Sequence, residues 1–305
     1  MSLLLRDPGL LSLLVDHGRP AARALGVPVG GAADRAALAL ANALVGNPPD
    51  AVGLEFTLSG PTLEAAAQTA CAVFGAPFTV TAGRRPVAVG STFTLEAGET
   101  LRIGGTPAGV RGYLCAAGGF AAPAVLGSKS SLEPLAAGTV LECRPSRCVP
   151  RGLGFDTLFD TESPTVLRVL DGPQRDWFPD DRFFTQVYEV STANNRMGLR
   201  LVGEPLARTP GELVSEAVAH GAVQVTNDGR PVVLGVDGQT IGGYPKVAHV
   251  IRADLDRLAQ LRPGEKVRFA SVTPDEAEAA ARERAAALHR WLARLRAADR
   301  APTFG

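Results

Sequence analysis

Pro231-Val232-Val233-Leu234-Gly235-Val236 runs directly into Asp237-Gly238-Gln239-Thr240-Ile241-Gly242-Gly243-Tyr244-Pro245-Lys246. The first six residues are a continuous apolar run bounded by turn signals, the pattern of a buried β-strand. The strand therefore ends in an acid and a cluster of amide donors. Gly242 and Gly243 carry no Cβ, so their backbone N–H groups can come close to a ligand, and Lys246 follows the second glycine by three residues. This combination suits bound or developing negative charge on a phosphate, carboxylate or amide oxygen. It suits equally a tight Gly-Gly turn between strands, with Tyr244 packed and Lys246 in water. The stretch alone does not choose.

Outward from this point the strand signal recurs. Apolar segments at Cys71–Phe74, Phe78–Ala82, Thr92–Leu95, Val110–Ala116, Val166–Leu170, Ala222–Thr226 and Val267–Ala270 are short and separated by Gly and Pro. Such spacing predicts a mainly β protein of barrel or sandwich type. Leu95-Glu96-Ala97-Gly98-Glu99-Thr100-Leu101-Arg102-Ile103 is echoed by Leu261-Arg262-Pro263-Gly264-Glu265-Lys266-Val267-Arg268-Phe269, and a related Gly138 turn precedes Val140-Leu141. The echo is consistent with two similar β domains, over 1–150 and 165–273, meeting in the Pro- and Gly-rich stretch 145–164.

Three helices interrupt the strands. One covers Asp34–Leu44 and is stopped by Gly46-Asn47-Pro48-Pro49; a second, shorter one covers Ala253–Leu261. The third is amphipathic and C-terminal, over 274–299. Thr273-Pro274-Asp275-Glu276 supplies an N-cap, a first-position proline and a capping-box glutamate, and Leu288, Trp291, Leu292 and Leu295 fall on one face. That face must cover an apolar surface, either of this chain or of a partner.

Lysine plus arginine and aspartate plus glutamate each number 31, and aromatic residues make up 6% of the 305. With balanced charge, no basic run and few aromatics, nothing points to nucleic acid. No apolar stretch is long enough to cross a bilayer, and the start, Met1-Ser2-Leu3-Leu4-Leu5-Arg6-Asp7-Pro8, reads as a strand rather than a signal peptide, so the expected location is the cytoplasm. Cys71 and Cys115 lie in apolar runs as small buried side chains, and neither Cys143/Cys148 nor the four histidines have metal-ligand spacing, so no transition-metal site is expected.

Five segments together resemble the allophanate hydrolase subunit 2 family, which includes the C subunit of 5-oxoprolinase, the antagonist of the Kip kinase inhibitor and the carboxyltransferase domain of urea amidolyase. They are Gly26–Asp34 with Leu40–Asn47; Leu54-Glu55-Phe56-Thr57 with Gly60-Pro61; Gly112–Gly119 with Val125–Ser130; Asn195-Arg196-Met197-Gly198; and Gly221–Val225 with Asp237–Lys246. Ala33 stands where the family usually has a larger residue, Ile241 where a second threonine is usual, and Ala217 and His220 where glycine and proline usually follow Ser215-Glu216.

The resemblance implies two cyclophilin-like β-barrel domains with a cleft between them. It implies a small cyclic or ureido amide as substrate: a lactam and a ureido ring both present a planar N–H and C=O to one acceptor and a few donors. The leading expectation is the C subunit of an ATP-dependent bacterial 5-oxoprolinase, inactive alone and working with a Kip-inhibitor-like B subunit and a hydrolytic A subunit. A biotin-dependent carboxyltransferase component, with biotin supplied in trans, is one alternative; a regulatory antagonist of a histidine-kinase inhibitor is another. A need for partners would leave an exposed apolar patch.

Under the leading expectation ATP and Mg²⁺ activate the lactam oxygen, with the interface to the B subunit as one place for the nucleotide, and the chain must supply cationic stabilisation. Lys246 and Arg196 are the candidate cations. Asp237 and Asp34 are candidates for a base or a Mg²⁺ ligand, Gln224 and Gln239 for lactam or ribose hydrogen bonds, and the Gly242 and Gly243 amides and Tyr244 for the wall of the pocket. Ser128, Lys129 and Ser130 offer a phosphate contact or a polar loop. Asp34 is equally a helix N-cap, Arg196 a turn residue, and Glu216 either a ligand group or a strand-end acid paired with an arginine.

Overall fold

The computed structural model describes residues 2–154, 163–209 and 211–297. Part of the linker expected at 145–164 and the last two residues of the helix expected over 274–299 lie outside the described residues. Two compact units emerge: Met1–Gly18, Asp34–Phe159 and Ala287–Gly305 form the first, and Arg19–Ala33 and Asp160–Ala286 the second.

In the first unit the strands are β1 (Ser2–Asp7), β2 (Ser12–Val15), β3 (Gly53–Thr57), β4 (Thr62–Ala65), β5 (Thr69–Gly75), β6 (Val80–Ala82), β7 (Arg85–Val87), β8 (Thr92–Leu95), β9 (Thr100–Ile103), β10 (Arg111–Ala116) and β11 (Val140–Glu142). They make a six-stranded sheet, β11-β1-β4-β9-β6-β7, and a five-stranded sheet, β2-β3-β10-β5-β8. Alternate residues of both sheets, among them Leu3, Leu5, Leu63 and Leu101 from one and Leu54, Phe56, Val73 and Leu114 from the other, share one apolar core. Helix α1 (Arg35–Leu44) packs on β5 and β10. Its alanine-rich sequence allows close approach to the sheet, and residues 36–44 are buried throughout. Asn42 and Asn47 are buried with it: Asn47 Nδ2 donates to Asn42 Oδ1 at 2.9 Å and to the Ala116 carbonyl at 2.8 Å, which fixes the helix exit against β10.

The second unit is a closed barrel. Its strands are β12 (Thr165–Asp171), β13 (Tyr188–Val190), β14 (Gly198–Val202), β16 (Ala222–Val225), β17 (Pro231–Leu234), β19 (Lys246–Val250) and β20 (Lys266–Ser271), closing in the order β12-β19-β16-β17-β14-β13-β20. Two short strands, β15 (Glu216–Ala217) and β18 (Ile241–Gly242), pair with each other outside it. Inward-facing Leu167, Val169, Tyr188, Leu201, Val223, Val225, Val233 and Phe269 fill the interior, as the two-residue alternation of each strand requires. The fold is thus mainly β with one closed barrel and few helices.

The predicted N-caps are observed. Asp34 Oδ1 accepts from the Ala37 N–H at 2.9 Å, and α4 (Pro274–Ala297) opens with a capping box in which the Thr273 N–H donates to Glu276 Oε2 at 2.7 Å and the Glu276 N–H to Thr273 Oγ1 at 3.3 Å. Leu292 and Leu295 of α4 are buried within this chain and Leu288 and Trp291 half-buried. The short helix expected over Ala253–Leu261 is smaller: a 3-10 turn at Arg252–Asp254 and one α turn, α3 (Leu255–Leu258). Additional short helical turns occur at Pro20–Leu25, Arg175–Trp177 and α2 (Arg182–Thr185), each too short to show a helical period in sequence.

The echoed segments fold alike. Gly98 and Gly264 both adopt left-handed φ, +80° and +84°. In each turn the following glutamate bonds back to the backbone three residues earlier: Glu96 N–H to Glu99 Oε2 at 2.9 Å, and Arg262 N–H to Glu265 Oε2 at 3.0 Å. Gly138, at φ +89°, turns the chain into β11 in the same way.

Candidate functional site

Strand β17 leaves the barrel at Leu234, and the chain then reverses over Gly235–Gly238. The Gly235 N–H bonds to the Met197 carbonyl at 2.8 Å and the Asp237 N–H to the Arg196 carbonyl at 3.0 Å, so the two family segments at Asn195–Gly198 and Asp237–Lys246 are tied together by backbone. A Cβ on Gly235 would stand 2.2 Å from the Arg196 carbonyl oxygen, which explains the glycine. Arg196 is buried and forks onto Asp237, Nε to Oδ2 at 2.7 Å and Nη2 to Oδ1 at 3.1 Å, with Nη2 also donating to the Gly31 carbonyl at 2.6 Å. Arg196 and Asp237 therefore neutralise each other and fasten the segment Arg19–Ala33, whose Gly30 N–H bonds to the Val236 carbonyl at 3.0 Å.

Beyond Asp237 the chain forms β18, in which Gly242 lies opposite Glu216 and Ile241 opposite Ala217. Two of the departures from the family pattern, Ala217 and Ile241, are thus cross-strand neighbours, and both are exposed. Lys246 then opens β19 as a buried residue rather than a solvated one.

The register of β19 against β16 sets the site. Val223 pairs with Ala248 but Gln224 pairs with Lys246, so Val247 is an extra residue, a β-bulge. The bulge lets Val247 and Ala248 both reach the barrel core while it sets Lys246 opposite Gln224. Both side chains are buried, Gln224 at 2% and Lys246 at 5% exposure.

Gln174, just past the end of β12, completes the arrangement. The Lys246 N–H donates to Gln174 Oε1 at 3.0 Å, and Gln174 Nε2 donates to Glu216 Oε1 at 2.9 Å. Glu216 Oε1 in turn forms an ion pair with Lys246 Nζ. Contact with the Lys246 ammonium, then the Gln174 amide, holds the Glu216 carboxyl below its ordinary range. Glu216 is half-exposed, whereas the lysine behind it is not. Its partner is this lysine, not the arginine expected from sequence.

One buried donor in this cluster, Gln224 Nε2, lacks an acceptor among the described residues, and a second, Lys246 Nζ, has a single carboxylate for partner. Gln224 Oε1 accepts from Gln239 Nε2 at 3.3 Å, but Gln224 Nε2 donates to no described residue. Lys246 Nζ has Glu216 as its acceptor among the described residues, through the ion pair. Buried donors without acceptors cost stability in a free protein and are natural contacts for a ligand's oxygen atoms. A Cβ on Gly242 would come within 2.6 Å of Gln224 Nε2, so the glycine leaves room there.

Gly243 and Tyr244 face elsewhere. With Arg208, Glu212, Asn227 and Pro245 they line a cavity of about 470 Å³ whose lining does not include Lys246. Tyr244, Ile241 and Val214 are large exposed side chains of this region, at 40%, 60% and 87% exposure.

The remaining candidates are held by other contacts in the first unit. Asp34 caps α1, and its N–H donates to Tyr113 Oη at 2.8 Å, while that hydroxyl donates to Glu55 Oε2 at 2.7 Å. Ser128 and Ser130 each donate to Asp16 Oδ1 at 2.6 Å and the Lys129 N–H donates to Asp16 Oδ2 at 2.6 Å. The loop that offered donors for a phosphate thus holds the chain's own carboxylate. Burial acts against the charged form of Asp16, but the hydroxyl and amide donors outweigh it and lower its pKa. No group of three or more His, Cys, Asp or Glu among the described residues could hold a metal ion, and Asp34 and Asp237, the two carboxylates offered for Mg²⁺, are spent on a helix cap and on Arg196.

Sequence reading missed Gln174. Its only local signal was a polar side chain following the Gly172-Pro173 turn; its partner Lys246 lies 72 residues away.

The second unit is thus a closed β-barrel that buries a lysine and a glutamine side by side at one strand register. The chain belongs to the family described as carboxyltransferase domain, subdomain A and B, which matches residues 25–271. It is 35% identical over 282 residues to the 5-oxoprolinase C subunit of Escherichia coli (strain K12), covering 88% of this chain and 91% of that protein. Among solved structures it resembles TTHA0988, at 36% identity and TM-score 0.81, over 88% of this chain and 56% of that one. It also resembles K. lactis urea amidolyase, at 26% identity and TM-score 0.85, over 95% of this chain and 20% of that one. The chain therefore spans little more than half of the first of these structures and a fifth of the second.

Proposed function

We propose that this chain is the C subunit of a bacterial 5-oxoprolinase, acting with the A and B subunits on the lactam of 5-oxoproline. The carrying observation is the pair of buried donors, Lys246 Nζ and Gln224 Nε2, in a chain collinear with the 5-oxoprolinase C subunit over most of its length. In this reading Gln224 donates to the substrate's planar amide, Lys246 supplies positive charge beside it, and Gln174 and Glu216 hold the lysine in place. Arg196 and Asp237 brace the loop rather than meet substrate. The second unit is read as a cyclophilin-like barrel; the first, expected as another, has two separate sheets over one core rather than a closed barrel.

An unstrained lactam is a poor electrophile, so the reading requires ATP to phosphorylate its oxygen, releasing ADP, before water opens the ring in the A subunit and the phosphoryl group leaves as inorganic phosphate. No carboxylate cluster among the described residues suits Mg²⁺, so the metal and the nucleotide are assigned to the assembled enzyme and no step of this chain is built on them. The test is 5-oxoproline-dependent ATP hydrolysis by the three co-purified subunits. Lys246→Ala is expected to abolish it with the fold intact, and near-normal turnover would remove the lysine from the reading.

The likeness to urea amidolyase supports a second reading, a carboxyltransferase component that takes the carboxyl group from the ureido nitrogen of carboxybiotin carried by another protein, leaving biotin intact. Transfer of carboxylate from carboxybiotin to urea, with no response to 5-oxoproline, would favour it. Retained regulation of a histidine kinase after Lys246→Ala would instead favour the kinase-inhibitor antagonist.

A further inference from the structure

Lys246 and Glu216 are unequally buried. The lysine side chain is 6% exposed and the glutamate 42%, so Glu216 forms the solvent side of the pair. Glu216 also sits on β15, a two-residue strand outside the barrel that is held by pairing with β18, whereas Lys246 and Gln224 belong to the barrel wall. Moving Glu216 outward would return a half-solvated carboxylate to water; moving Lys246 would break the barrel register. Among the described residues Gln224 Nε2 finds no acceptor even with Glu216 in place. One carboxylate therefore satisfies the cation only, and a second acceptor is wanted next to it.

We infer that Glu216 is an internal stand-in for the carboxylate of an anionic substrate, displaced when a ligand bearing both a carboxylate and a neutral carbonyl places the first on Lys246 Nζ and the second on Gln224 Nε2. The inference rests on the reading of these two side chains as the ligand-facing donors, and it narrows the substrate class: a neutral lactam or urea lacks the group that competes with Glu216. Displacement of an internal competitor raises the apparent dissociation constant by the inverse of the fraction of molecules in which the site is open. A carboxylate ligand should gain most when the competitor loses its charge, and a neutral analogue should gain nothing.

The test is calorimetric titration of the full chain and its Glu216→Gln variant with 5-oxoproline, with 2-pyrrolidinone, which is the same lactam without the carboxylate, and with a panel of small monocarboxylates. Thermal unfolding of both proteins checks the fold, and the substitution retains an acceptor for Gln174 Nε2. The expected result is binding of 5-oxoproline about tenfold tighter in the variant, with 2-pyrrolidinone unchanged. Weaker or unaltered binding of every carboxylate, or an equal gain for 2-pyrrolidinone, would overturn the inference. A gain for other carboxylates but none for 5-oxoproline would uphold the internal stand-in and instead remove the 5-oxoprolinase reading.

Discussion

Gln174 and Lys246 hold each other twice: the Lys246 N–H donates to Gln174 Oε1 at 3.0 Å, and the Gln174 N–H donates to the Lys246 carbonyl at 3.2 Å. The remaining amide of Gln174 reaches Glu216. One side chain thus sets both the strand start that carries the lysine and the acid that faces it. Gln174→Ala leaves a buried N–H without its acceptor, and we expect a loss of about 1–3 kcal/mol in urea unfolding. Activity of the assembled enzyme should fall further than that stability loss accounts for, because the start of β19 that places Lys246 loses its side-chain acceptor.

Arg196→Ala strands Asp237 and frees the Gly31 carbonyl at once. Because Asp237 is partly exposed, the expected cost is about 2–3 kcal/mol, below the range for fully buried pairs. Arg196→Lys should recover little of it, since a single ammonium cannot serve two carboxylate oxygens and a carbonyl in one plane. Denaturant midpoints of the two variants measure this directly.

Gly172 and Gly98 separate close approach from backbone conformation. A Cβ at Gly172 would stand 2.1 Å from the Lys246 carbonyl oxygen, so Gly172→Ala must push β12 and β19 apart and should cost about 3 kcal/mol or more. At Gly98 nothing lies within 4 Å of the added carbon, and only the left-handed φ of +80° is penalised. Gly98→Ala should cost about 1–2 kcal/mol.

Gly242→Ala is expected to act on the site more than on the fold. Its Cβ meets Gln224 Nε2, the free end of a side chain, which can shift without moving backbone. We expect stability within about 1 kcal/mol of the parent and a large rise in the substrate KM of the assembled enzyme. A normal KM would show that Gln224 does not contact substrate.

Asp16 gives the first unit an acid-sensitive latch. Its carboxyl pKa is lowered in the fold, so the stabilisation is complete above the ordinary carboxylate range and is lost as pH falls through the lowered native value. Asp16→Asn should cost about 1–3 kcal/mol near neutral pH. It should also flatten the acid limb of the stability profile, as measured by unfolding at successive pH values.

What could be read locally was read from neighbouring residues. The Asp34 cap, the Thr273–Glu276 box and the Gly98 and Gly264 turns each close within three residues, and β8 occupies Thr92–Leu95, the segment its alternation marked. Lys246 was legible as a candidate by its place after two glycines. Its burial, its ion pair with Glu216 and its dependence on Gln174 were not, and neither was the capture of Asp16 by Ser128 and Ser130 across 112 and 114 residues.

By itself the sequence determined a mainly β chain, its strand segments and helix caps, and its family, because periodicity, turn chemistry and capping act between residues a few positions apart. Only the tertiary structure decided which charges neutralise each other and which donors are left over. Those outcomes hang on a one-residue bulge at Val247, on barrel closure, which brings β12, β16 and β19 together, and on the pairing of β15 with β18 outside the barrel. Desolvation then makes each pairing matter, since a buried donor must find its acceptor in the fold or in a ligand.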